Sequence, residues 1–153
     1  MLLITNNTNP TLALPNFSTL PISTESNFLD AGDMISIAGY PGKITSSLEI
    51  AKNTELKTDN VRIREIFTLG QNTVDVVATS DTDVAQRGSS GGGAFKENKL
   101  GGIIVSTNTG TTASKLVANI LTLSYINREI KNETGKNLSS FISPVNVMRQ
   151  RAV

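Results

Sequence analysis

The chain has 153 residues, of which 38% are hydrophobic, 18% charged and 5% aromatic, with a net charge of +1. That length suffices for one domain with its own core, and so small a charge argues against a nucleic-acid or acidic-membrane partner. With no cysteine and no histidine, disulfides, thiolate or imidazole metal sites and an imidazole general base are all excluded from this chain, and no cofactor is expected.

Residues 1–30 read as irregular, because Pro10, Pro15 and Pro21 interrupt any long element. Thr11-Leu12-Ala13-Leu14 within them is compatible with a short strand. No basic leader or long apolar core marks an export signal at Met1, and no apolar run approaches the length of a membrane span. After Gly32-Asp33, the alternation in Met34-Ile35-Ser36-Ile37-Ala38-Gly39 predicts a strand, which Tyr40-Pro41-Gly42 ends. Further strands are expected at 47–51, 61–69 and 73–79, the last two joined through Gly70-Gln71-Asn72. Along 61–69, Arg62, Arg64 and Glu65 alternate with Val61, Ile63 and Ile66, as on a strand with one solvated face. A strand over 93–96, a turn at Glu97-Asn98-Lys99 and an apolar strand over 100–106 follow. Residues 108–114 read as a polar loop.

Residues 116–123 fit both a strand and a helix face. The preferred reading is a strand ending near Thr122, then a helix capped by Ser124 and running to about Asn132, with Gly135 as its stop. Beyond it lies a tail ending in Arg149 and Arg151. Six or so short strands and one terminal helix point to an all-β, small antiparallel barrel. Asn132-Glu133-Thr134 and Asn137-Leu138-Ser139 fit a glycosylation acceptor pattern and are also ordinary turn material. Asp81 and Asp83 are a conceivable cation pair, more simply read as solvated loop acids.

Gly88-Ser89-Ser90-Gly91-Gly92-Gly93 carries the chemistry, and three explanations fit it. A flexible linker matches the composition, although well-patterned strands stand close on both sides. A phosphate-cradling loop lacks the Lys-Ser/Thr ending and a following helix. The third is a nucleophile turn, in which glycines let Ser90 project and let a substrate carbonyl approach two backbone N–H groups.

Gly88-Ser89-Ser90-Gly91-Gly92-Gly93-Ala94-Phe95, followed by Leu100-Gly101-Gly102-Ile103-Ile104-Val105-Ser106, resembles the Gly-x-Ser-Gly-Gly-Pro…Gly-Ile-Val-Ser signature of trypsin-like serine proteases. The segment from Gly32 to Gly42 resembles the Gly-Asp-x-Val…Gly-Tyr-Pro stretch that opens their second barrel, especially in bacterial members. Residues 117–130 resemble the final strand and C-terminal helix of that family. The resemblance covers about residues 30–131 in order and implies a six-stranded antiparallel Greek-key β-barrel with a C-terminal helix. It divides the chain into 1–30, an inter-barrel remnant; 31–132, the barrel and helix; and 133–153, a tail.

Carried over by position, the resemblance makes Ser90 the nucleophile and the N–H groups of Gly88 and Ser90 the oxyanion hole. Ser106, Thr107 and Asn108 become the strand that pairs with a peptide substrate. Residues 83–86 would line the pocket for the side chain before the scissile bond, with Val84 at the specificity position and Gln86 on the wall. Val84 implies no preference for a basic residue. Departures matter equally. No histidine exists, Thr11 stands where the catalytic acid belongs, and Gly93 replaces a proline. Lys96 and Lys115 are the remaining candidate bases, and nothing in the sequence places either beside Ser90.

Three readings follow: the C-terminal half of such a protease, inactive alone; a shortened inactive homologue that binds peptides or acts as a scaffold; and an unrelated barrel. The expected partners are a peptide or protein substrate and either the first barrel or a second copy, docked on an exposed apolar face. A periplasmic or secreted location follows from the resemblance alone.

Overall fold

The structure, a computed structural model, describes residues 20–41, 55–70, 72–109 and 116–142. Six strands form one closed antiparallel barrel: β1 Met34–Gly39, β2 Lys57–Phe67, β3 Val76–Thr82, β4 Gly93–Lys96, β5 Lys99–Thr109 and β6 Leu116–Thr122. Their order around the barrel is β1-β2-β3-β6-β5-β4. The chain thus crosses from β3 to β4, which pairs with β1 on one side and β5 on the other. Helix α1, Leu123–Thr134, follows β6 directly, and a single turn, α2, spans Ser139–Ile142. The all-β, six-stranded barrel with a C-terminal helix is therefore the observed architecture.

Alternation builds the core. In β1, Ile35 and Ile37 point inward while Met34 and Ser36 face out. Each of the six strands contributes at least one wholly buried side chain, among them Ile37, Val61, Ile63, Val77, Ala94, Ile104 and Ile120. Leu29, from the irregular segment before β1, joins them at 1% exposure. That segment also pairs with the start of β5, through the Leu100 N–H to Pro21 O and the Ser23 N–H to Leu100 O, both 2.9 Å.

Several features differ from the sequence reading, among them β5, which runs on to Thr109 where a loop was expected from Asn108. The expected alternation in β2 holds for Val61 and Ile63 but fails at Ile66, which is 41% exposed. A bulge between Ile63 and Glu65 shifts the register there and sets Ile66 opposite Val77, one residue before β2 ends at Phe67. The strand predicted from Thr73 begins only at Val76. Thr73, Val74 and Asp75 instead belong to the connection, where the Asp75 carboxylate accepts the Leu69 N–H at 2.7 Å and the Thr73 hydroxyl at 3.0 Å. Finally, Thr122 and not Ser124 caps α1: its Oγ1 accepts the Tyr125 N–H at 3.2 Å, and Ser124 lies buried in the first turn. Gly135 does end the helix, in the left-handed conformation at φ 71°, its N–H bonding Lys131 O. The strands expected at 11–14 and 47–51, residues 110–114 of the loop expected at 108–114, Gln71, Lys115 and the basic end lie outside the described residues.

Candidate functional site

The site begins where the chain leaves β3 and must return to β4 across the barrel mouth. Residues 83–92 make that crossing as a series of bends and turns. Gly88 and Gly91 adopt φ values of 96° and 87°, a region that costs side-chain-bearing residues energy. Gly92 passes so close to β1 that a Cβ there would stand 2.3 Å from the Ala38 carbonyl oxygen. The glycine run is therefore an ordered bend with a packing reason for its composition, which removes the linker explanation.

Within the bend the two serines face opposite ways. Ser90 is exposed, at the crown of the turn. Ser89 is 1% exposed, and its hydroxyl donates to the Val84 carbonyl oxygen. The Ser89 N–H bonds Gln86 O at 3.1 Å, and the Gly92 N–H bonds Ser89 O at 2.9 Å. Among the described residues, neither the Gly88 N–H nor the Ser90 N–H has an acceptor. Two donors of the turn beside an exposed hydroxyl are thus left for something else to accept.

The turn is stitched to β5. The Gly91 N–H bonds Ile104 O and the Ile104 N–H bonds Gly92 O, both at 2.8 Å. Two residues further along the same strand come Ser106, Thr107 and Asn108, all exposed. On one side they pair with β6, through Asn119, Ala118 and Val117. On the other side β4 reaches only to Ile103, so among the described residues that edge of β5 has no strand neighbour beyond it. The Ser106 hydroxyl accepts the Asn119 side-chain amide at 3.0 Å, which holds it against the sheet. The link between the turn and this strand thus runs through Gly91, Gly92 and Ile104, two residues before Ser106.

Val84 lies elsewhere in character. It is 2% exposed, part of the barrel core, with its N–H on the Thr82 hydroxyl at 3.2 Å. Its carbonyl also accepts the Gln86 N–H at 2.8 Å, and Gln86 itself is half-buried. With Asp83 it borders an open cavity of about 350 Å³, whose other walls are Lys57, Thr58 and Asp59 of β2. Among the described residues no three His, Cys, Asp or Glu side chains gather to hold a metal ion. Lys96 is engaged away from the turn, its Nζ 2.7 Å from Asp33 Oδ2 and 3.0 Å from Phe28 O.

Sequence reasoning missed two groups that the fold assembles. Ser89 is one; adjacent serines of identical type carry no signal saying which is buried. The other is the pair of buried Asp75 and half-buried Arg128, 2.8 Å apart, which ties α1 to the barrel. Arg128 also donates to the Thr73 hydroxyl at 2.6 Å.

No family model and no curated protein sequence matches this chain. Among solved structures it is similar to a scabies mite inactivated protease paralogue, with a TM-score of 0.50 and 14% sequence identity. The likeness covers 78% of this chain and 54% of that one, so the chain spans about half the length of that structure. At this identity what the two share is a fold, and the six-stranded barrel described above is of trypsin-like type.

Proposed function

We propose that this chain is the Ser90-bearing half of a trypsin-like serine endopeptidase. A peptide would add as a strand along residues 106–108 and present its carbonyl oxygen to the N–H groups of Gly88 and Ser90. The observation that carries this reading is a pair of N–H groups beside an exposed hydroxyl that have no acceptor among the described residues, on a turn bonded to a strand whose edge has no described neighbour further on.

The chain alone lacks efficient peptidase activity in this reading. A serine hydroxyl attacks a carbonyl only as a base removes its proton, and none of the 153 residues is a histidine. Loss of that base from a triad costs roughly a millionfold in turnover. The partner called for is a barrel carrying histidine and aspartate.

Two measurements test this. Purified chain with an activated peptide ester should show no turnover above background; turnover that Ser90→Ala abolishes would refute the proposed inactivity. A peptide ending in a free carboxylate, the product of cleavage, should shift the amide NMR signals of Gly88, Ser90 and residues 106–108. Its C-terminal amide counterpart should bind roughly tenfold more weakly, because charge-assisted hydrogen bonds to the two N–H groups are the stronger ones. Binding elsewhere, or none, would sink the peptide-site reading.

The missing histidine equally favours a shortened, inactive homologue that binds peptides or acts as a scaffold. The coding sequence upstream of Met1 separates the two: an in-frame segment with a histidine and an aspartate supports the half-protease, and its absence supports the binding module.

A further inference from the structure

We infer that Ser89 is the positioning residue of this site, its hydroxyl latching the glycine turn so that the Gly88 and Ser90 N–H groups stay free to meet a ligand. The inference rests on the peptide-carbonyl reading of those two groups.

Of the six residues Gly88 to Gly93, only Ser89 and Ser90 have side chains. Ser90 faces solvent and makes no hydrogen bond to any described residue. Glycine-rich backbone has many conformations open to it, so the only side chain available to select one of them is that of Ser89. All three of its hydrogen-bonding groups are engaged: the hydroxyl with Val84 O, the N–H with Gln86 O and the carbonyl with the Gly92 N–H.

The far end of the latch is itself fixed. Val84 N–H bonds the Thr82 hydroxyl, which donates to Asp59 Oδ2 at 2.7 Å, so the tether runs back to β2. On the opposite side stands the end of β1. A Cβ on Gly39 would lie 3.1 Å from Ser89 Cβ and 3.2 Å from its Oγ. The serine is thus held between β1 and the Val84 segment, with its hydroxyl aimed at one acceptor.

Amide hydrogen exchange in the ¹⁵N-labelled chain tests the latch without any ligand. Ser89→Ala removes the donor, and Ser89→Cys keeps the shape with a much weaker one. Both should exchange the Ser89, Gly91 and Gly92 N–H protons about tenfold faster than the parent, the size expected for one net hydrogen bond in local opening. A Cys variant that exchanges like the parent would overturn the inference, since packing alone would then hold the turn. The second readout is the preference for a peptide carboxylate over its amide, an internal ratio that global stability does not move. It should collapse towards unity in both variants, and its persistence would also overturn the latch. Should the parent bind neither peptide while exchange accelerates in both variants, the latch stands and the peptide-site reading fails.

Discussion

Burial alone would push the Asp75 carboxyl towards its neutral form, yet its pKa lies below the ordinary 3.8. The Arg128 guanidinium, the Leu69 N–H and the Thr73 hydroxyl together outweigh the loss of solvent. The folded state therefore binds this proton more weakly than the unfolded chain does. The stabilisation is complete above the unfolded pKa and is lost as pH falls through the folded one. Arg128→Ala leaves a wholly buried carboxylate without its cation and should cost about 3 kcal/mol at neutral pH. Urea unfolding checks it, and the gap between variant and parent should narrow as pH falls, because the variant's buried, unpaired carboxyl takes up its proton in the folded state at a higher pH than the parent's does. None of this was legible in the sequence, since the two residues lie 53 positions apart and nothing local marks either as buried. The bend that carries Ser90 was legible, because four glycines within six residues announce it.

Strand existence was read correctly wherever alternation was strong, as in β1, and boundaries failed where a side chain captured the backbone. At the β6–α1 junction the sequence reading put the cap at Ser124, and the structure puts it at Thr122. Thr122 wins because its hydroxyl reaches both the Tyr125 N–H and the Val74 carbonyl oxygen, the latter at 2.9 Å. Thr122→Ala should therefore cost about 1–2 kcal/mol, and Ser124→Ala distinctly less, in the same urea measurement. Equal losses would mean that the cap is shared. The β4–β5 turn makes a second point of this kind. Glu97 and Asn98 both sit at positive φ, 53° and 58°, where the two central residues of a tight hairpin must twist. The sequence reading placed a turn there without showing that a glutamate would bear that conformation.

Closure of the barrel couples all these elements. The pairing of β1 with β4 brings Ile37 beside Ala94, and a core supplied by every strand leaves no part that is stable by itself. Ile37→Ala should cost about 3 kcal/mol, the usual loss for a buried aliphatic side chain. Because Asp75, Arg128 and Thr122 fasten α1 to the barrel, helix and sheet should unfold together. Far-UV circular dichroism and the NMR signals of α1 should give one midpoint, and a helix melting earlier would show the tie to be weak.

By itself the sequence determined the features that depend on neighbours along the chain, namely the all-β class, the bend at Ser90, the strand leading to residues 106–108 and the stop at Gly135, together with the absence of histidine. Tertiary structure alone decided which serine is buried, where β2 bulges, which hydroxyl caps α1 and which cation stands beside Asp75. Those outcomes are set by groups from distant segments competing for the same donor, acceptor or volume, and that competition begins only when the barrel closes.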